Sequence, residues 1–333
     1  MSSDASTSPD KQSLHFIVRS GLAGGIAGCV AKTVVAPLDR VKILFQASNP
    51  DYTKYAGTWI GALRAGTQIY REGGALGLFQ GHSATLLRIF PYAAIKFMAY
   101  DQFEHFIMPT KEMHTNSRRF VCGALAGMTT VFFTYPLELV RVRMAFYTRS
   151  TSHGHPKPNF LSTASEILHE VPKTPPSSST TSLLSRVPIL KFYRGFSVTL
   201  AGVIPYGGTS FLVWGALRAY FTPSRSRSSS QPAKTSSRSH DGRPLADLGL
   251  GAVAGAISQT VSYPFEVIRR RMQVGGLTHP ERWLRWDETV RTIWHTSGWR
   301  GFYVGLGIGY VKIMPMTAVS FAVWQWAKRM LGV

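Results

Sequence analysis

Three times along this chain a proline is followed by an acid two residues on and a base five residues on. The copies are Ala36-Pro37-Leu38-Asp39-Arg40-Val41-Lys42, Tyr135-Pro136-Leu137-Glu138-Leu139-Val140-Arg141 and Tyr263-Pro264-Phe265-Glu266-Val267-Ile268-Arg269. Nine residues before each proline stands a glycine (Gly28, Gly127, Gly255), and another lies four residues earlier (Gly24, Gly123, Gly251). A second landmark recurs in register: Phe79-Gln80-Gly81, Tyr193-Arg194-Gly195 and Tyr303-Val304-Gly305, each followed nineteen residues later by an aromatic (Tyr100, Trp214, Trp324). Self-similarity of this kind marks an array whose units cannot bury their apolar faces alone and must pack on one another.

Each repeat holds two apolar segments, at approximately 14–47, 79–107, 118–149, 190–221, 244–274 and 303–331. The stretch Gly195 to Leu217 carries no charged side chain, and at about 1.5 Å per residue it spans the roughly 30 Å hydrocarbon core of a bilayer. The fold class expected is therefore an all-α membrane protein with six transmembrane helices in three pseudo-threefold two-helix repeats, joined by short helices. A soluble fold would have to bury six nearly all-apolar faces in one core. The paired small residues on the first, third and fifth helices suit close backbone approach. Expected boundaries are a disordered N-terminus at 1–13, repeat 1 at 14–110, repeat 2 at 111–221, a Ser/Arg-rich loop at 222–243 and repeat 3 at 244–333. Repeat 2 carries an insertion at 149–186, which reads with 222–243 as solvated, flexible loop. Residues 1–10 form neither a secretory signal nor an Arg-rich transit peptide, so targeting is expected to be internal.

Proline inside a helix removes a hydrogen bond and bends the chain. Helices bent at Pro37, Pro136 and Pro264 under threefold symmetry converge at one end. The acid and base beyond each bend lie near one face, and ionisable groups at a membrane boundary are costly unless paired. The expected ring joins Asp39 to Arg141, Glu138 to Arg269 and Glu266 to Lys42. Such a ring closes a central cavity and can still open, because each pair is only marginally favourable net. The even helices are less well equipped: Asp101 faces Arg218 or Lys328 in a thinner closure at the other end.

Lys and Arg exceed Asp and Glu to give a net charge of +20, so anions are attracted. Seven residues after the second-landmark glycines come Arg88, Gly202 and Lys312; eleven after come Tyr92, Tyr206 and Met316; fifteen after come Lys96, Ser210 and Ser320. Offsets of four trace one helical face, and a polar stripe on an apolar spanning helix faces a wet interior. Lys32, five residues before Pro37, adds a cation with no threefold counterpart. Departures from symmetry are where an asymmetric cargo is read. Lys32, Arg88, Lys96 and Lys312 suit several negative charges, most simply phosphates. Gly202-Val203 offers a flat apolar notch for a purine, with Tyr206 one turn on.

Other classes fare worse. A basic nucleic-acid-binding protein fits the charge but not the uncharged spanning segment, so no nucleic acid is expected as partner. His82 and His169 lack partners at metal or triad spacing. Cys29 and Cys122 sit among small apolar residues as packing thiols. Neither an enzyme nor a bound cofactor or metal is indicated.

These motifs resemble the mitochondrial carrier family over nearly the whole chain. The family pattern is Pro-x-acid-x-x-base followed by acid-Gly and aromatic-base-Gly. Glu72-Gly73 and Tyr193-Arg194-Gly195 match the later element well, Ser297-Gly298 matches in part, and repeat 2 lacks its acid-Gly. The resemblance implies a multi-pass carrier of the mitochondrial inner membrane, acting as a monomer by alternating access. It makes the proline-end ring a matrix gate and the Asp101, Arg218 and Lys328 set a cytoplasmic gate. It also places cardiolipin phosphates at helix N-termini near Gly73, Gly81, Gly195, Gly298 and Gly305. The family's substrate contact points fall on Arg88, Gly202-Val203 and Lys312. The stretches Arg88 to Tyr100 and Tyr135 to Phe146 are similar to its coenzyme A carriers, which implies coenzyme A or an adenine nucleotide such as adenosine 3′,5′-diphosphate as cargo. An ADP/ATP or ATP-Mg/phosphate carrier is the alternative. Arg269-Arg270-Arg271-Met272-Gln273-Val274 matches the ADP/ATP exchanger's signature only partially, and no EF-hand pattern precedes the first helix.

Overall fold

The computed structural model describes residues 14–110, 115–148, 159–170, 187–221, 244–278 and 284–331. The expected N-terminal tail and the 222–243 loop lie outside these residues. Long helices are α1 (Leu14–Gln46), α3 (His82–Ile107), α4 (Asn116–Phe146), α6 (Phe196–Phe221) and α7 (Pro244–Thr278). The sixth is broken into α9 (Leu306–Val311) and α10 (Ile313–Leu331). Short helices α2 (Trp59–Leu78), α5 (Phe160–His169) and α8 (Trp286–Ser297) each follow an odd long helix, and no strand occurs among the described residues. α5 falls inside the 149–186 insertion, so part of what composition marks as loop is the helix equivalent to α2 and α8. Its apolar period, which buries Ile167, is too short to stand out beside the flanking Ser/Pro run.

α1 has 33 residues, about 50 Å of helix, more than the hydrocarbon core requires. By length and composition alone, four stretches qualify as membrane spans: Arg19–Gln46, Arg118–Phe146, Pro188–Leu217 and Trp286–Leu331. α3 and α7 fall short on that measure because they turn polar groups such as Arg88, Gln259 and Ser262 into the structure. Large apolar side chains including Phe97, Phe106, Ile204, Leu212 and Met314 stand exposed, a surface suited to lipid rather than water.

The six spanning helices close into a ring through contacts between repeats. α3 packs along α4, α6 along α7, and α10 along α1, far more extensively than the two long helices within any repeat touch. Arg19 of α1 donates a hydrogen bond to the Leu331 carbonyl at 3.3 Å, tying the chain's two ends together. Pro37, Pro136 and Pro264 lie inside α1, α4 and α7. A second set of prolines, Pro91, Pro205 and Pro315, stands ten residues after each landmark glycine. Pro315 cannot donate to the carbonyl four residues back, at Val311, and the sixth helix breaks there. Gly81, Gly195 and Gly305 share φ of 82°, 78° and 83°, left-handed backbone where the chain turns into α3, α6 and α9.

The small residues pack only in part as their spacing suggests. A Cβ added at Gly24, Gly123, Gly127 or Gly255 would meet nothing within 4 Å. The close approach is at Gly25, where a Cβ would lie 2.4 Å from the Phe90 ring. Gly28 and Gly251 also face a neighbouring helix, where a Cβ would lie 3.7 Å from Ile89 and 3.4 Å from Trp214.

Candidate functional site: a cavity floored by an ion-pair ring

Beyond the proline bends, the odd helices converge and bring their charges together. Lys42 Nζ lies 2.9 Å from Glu266, and Arg141 lies 3.0 Å from Asp39. Arg269 pairs with Glu138. The ring is richer than three isolated pairs. Glu138, 3% exposed, also meets Arg270 at 3.1 Å and Arg88 at 3.4 Å. Asp39 also meets Lys312 at 2.7 Å. Arg270 was missed in the sequence because it sits one residue past the repeated base, and only the fold shows that it leans toward repeat 2.

Beneath two of the pairs lies a tyrosine–glutamine brace. Gln46 donates to the Tyr263 hydroxyl at 2.9 Å, and that hydroxyl donates to the Val304 carbonyl at 3.0 Å. Gln273 donates to the Tyr135 hydroxyl at 3.2 Å, which donates to the Arg194 carbonyl at 2.6 Å. Lys42 sits 5.1 Å over the Tyr263 ring, and Arg269 lies 5.3 Å over that of Tyr135. The tyrosine before Pro136 and Pro264 and the glutamine nine after Pro37 and Pro264 were readable signals that the acid–base pattern overshadowed.

A cavity of about 630 Å³ opens above the ring, on the side away from the proline-end loops. Lys32, Arg88 and Arg141 line it, with Tyr92, Met316, Phe321 and Trp324 among its other walls. Its size suits a nucleotide-sized ligand. Arg88 lies 5.1 Å over the Tyr92 ring. Lys32 has no ion-pair partner among the described residues.

The remaining expected contacts are placed differently. Lys312 is drawn down to Asp39 rather than standing free in the cavity. Lys96 is exposed and does not border it. Gly202, Val203 and Tyr206 do not line this pocket, although Val203 and Tyr206 are exposed. A Cβ at Gly202 would meet the Phe265 Cβ at 3.0 Å, so the notch assigned to a purine is where α6 packs on α7. A single-helix period shows which residues share a face but not which neighbour that face meets. At the open end, Asp101 is exposed and makes no ion pair among the described residues. Lys328 lies 4.7 Å over the Trp324 ring, and the Arg218 side chain lies outside the described residues.

Repeat 2 does have its acid. Glu170, just past α5, pairs with Arg143 at 2.8 Å and Arg194 at 2.9 Å. Burial by itself raises its carboxyl, but the two guanidinium groups bring it below the usual range. In repeat 1 the equivalent Glu72 accepts from the Tyr52 hydroxyl at 3.1 Å. Burial and that carboxylate push the Tyr52 phenol up. In repeat 3 Thr296 and Ser297 precede the glycine and no acid stands there, and the left-handed glycines of the short helices are Gly74 (φ 67°) and Gly298 (φ 59°), not Gly73.

The sequence profile described as mitochondrial carrier protein matches residues 13–111, 112–225 and 240–333. The chain belongs to the mitochondrial carrier family. It is 44% identical to an uncharacterized mitochondrial carrier of Schizosaccharomyces pombe over 98% of this chain and 97% of that one. It is also 44% identical to a mitochondrial carrier protein of Saccharomyces cerevisiae, over 98% and 94% of the two chains. Human solute carrier family 25 member 16 is 38% identical over 94% of this chain and 88% of its own. This carrier is thus a transporter-family protein of the mitochondrial inner membrane that crosses it several times.

Proposed function

We propose that this carrier moves coenzyme A, or a related adenine nucleotide such as adenosine 3′,5′-diphosphate, by alternating access. The observation that supports this most is the cavity floor: cations outnumber carboxylates there, beside an apolar wall with aromatic rings. Coenzyme A carries a 3′-phosphate, a diphosphate and an adenine, a match of charge and shape to such a site. The stretches Arg88 to Tyr100 and Tyr135 to Phe146 support the same cargo by resemblance. Proteoliposomes loaded with coenzyme A, adenosine 3′,5′-diphosphate, ADP or ATP and assayed for exchange test it. Exchange of ATP with no exchange of coenzyme A refutes the assignment and favours an ADP/ATP-type carrier.

Arg88 lines the cavity and pairs with Glu138, while Lys312 pairs with Asp39 in the ring. A phosphate that engages them withdraws one cation from Glu138 and one from Asp39, leaving those acids their other partners. Cargo binding therefore loosens the ring, which acts as a matrix gate, and the energy of binding is spent on opening. When the matrix end opens, Asp101, Arg218 and Lys328 close the cytoplasmic end. Arg271, Arg300, Gly57 and Gly305 border a second pocket at the repeat 1/repeat 3 boundary. Its two arginines and helix starts suit a cardiolipin phosphate, with Gly81 and Gly195 at the equivalent places. A ring completed by one chain acts as a monomer.

A further inference from the structure

The three seams of the ring are not alike. At the repeat 3/repeat 1 seam, Tyr263 takes a hydrogen bond from Gln46 and lies under Lys42. At the repeat 2/repeat 3 seam, Tyr135 takes one from Gln273 and lies under Arg269. By the same register, the repeat 1/repeat 2 seam should use a tyrosine at position 36 and a glutamine at position 145. Both are alanine, Ala36 and Ala145. The two halves of one contact are missing together, and with the tyrosine goes the ring under Arg141.

Arg40 works at this seam instead. It is 5% exposed, and its Nε donates to the Ala145 carbonyl at 3.3 Å while Nη2 donates to the Tyr147 carbonyl at 2.9 Å. Those carbonyls belong to the last turn of α4 and its cap, the negative end of a helix dipole, which favours a cation. Asn49 donates to the intervening Phe146 carbonyl at 3.1 Å. The α4 backbone also comes closer here. A Cβ at Gly81 would lie 2.9 Å from the Arg141 carbonyl oxygen, whereas at Gly195 and Gly305 the nearest atom is a tyrosine hydroxyl at 3.2 Å.

We propose that Arg40 is a positioning residue for transport. It latches the C-terminal end of α4 to repeat 1 when the ring is closed, in place of the brace at the other two seams. Guanidinium-to-carbonyl bonds hold only while α4 ends against α1, so the latch releases when the helices swing apart. This rests on reading the ring as a gate, and it is independent of what the cargo is.

The test is a thiol at Ala93 on the cavity wall, in a Cys29→Ser/Cys122→Ser background, alkylated in proteoliposomes by a membrane-impermeant maleimide from either side. No cargo is needed, so a failure of coenzyme A exchange leaves this readout intact. Arg40→Met should raise labelling from the ring side roughly tenfold, since a bond from a charged donor is worth about a decade in an equilibrium constant. Arg40→Lys should recover part of the closure. Ala36→Tyr/Ala145→Gln, which supplies the missing brace, should lower ring-side labelling below the parent. Folded Arg40→Met protein labelled like the parent from both sides overturns the proposal, because a packing contact alone would cost stability without shifting sidedness. Should Arg40→Met not accumulate, unchanged labelling of the double alanine replacement overturns it as well.

Discussion

Replacing Glu138 by glutamine keeps the side chain's size and removes its charge, leaving Arg269, Arg270 and Arg88 around a neutral amide. Breaking a buried pair by taking away one partner costs ~3–5 kcal/mol, and with three guanidinium groups converging on one 3%-exposed residue the upper part of that range applies. Glu266→Gln strips a partner only from Lys42, and the Glu266 side chain is 28% exposed. Solvent relieves much of that loss, so the cost is about 1–2 kcal/mol. The difference, about 2–3 kcal/mol, corresponds to roughly 30- to 150-fold in the population of the ring-closed state. Asp39→Asn, which releases Arg141 and Lys312, should fall between. Sided alkylation of a cavity thiol reads these populations directly, and exchange rates read their consequence. A shift in Glu266→Gln as large as in Glu138→Gln would refute the view that partner number and burial set each pair's share of closure.

Asp101→Asn should alter exchange kinetics much less than Glu138→Gln, since Asp101 is exposed and makes no ion pair among the described residues; a comparable effect in the same assay would move the thinner closure to centre stage. Lys32→Gln should raise the KM for coenzyme A with little change in protein yield, because Lys32 can meet a phosphate without giving up an acid. Gly305→Ala should lower the melting temperature in detergent: its φ of 83° is costly for an L residue, by ~1–2 kcal/mol, and the new Cβ meets the Tyr263 hydroxyl at 3.2 Å. Glu170 binds its proton less readily folded than unfolded, so its stabilisation is complete above the ordinary carboxyl value of 4.5 and drains as pH falls through the lower folded value. Glu170→Gln should therefore melt earlier than the parent at neutral pH, with the gap narrowing as the buffer is acidified.

Much of this architecture was legible because threefold repetition converts a one-dimensional period into a spatial relation. Once Asp39, Glu138 and Glu266 occupy equivalent places on a closed ring, each faces the base of a neighbouring repeat. The same reasoning cannot see what symmetry does not carry. Arg40 and Arg270 are single-copy residues whose partners lie on other repeats, so no period announces them. Gly202 shares a helical face with Tyr206, yet whether that face meets cargo or Phe265 depends on a neighbour 63 residues away in the chain. Glu170 was hidden for a different reason, because the acid was sought beside a glycine and the backbone closes α5 without one.

The packing of even helices on the next repeat's odd helix has a bearing on how the chain is made. A repeat's own two long helices scarcely touch, so no repeat is a folding unit; the cooperative units are the seams. Two seams can form as synthesis proceeds, but the α10–α1 seam joins residues some 300 positions apart and must wait for the last helix. Until then α1 offers an unpartnered face to the bilayer. The first helix inserted is the last to be completed, and any truncation at the C-terminus is felt at the N-terminus.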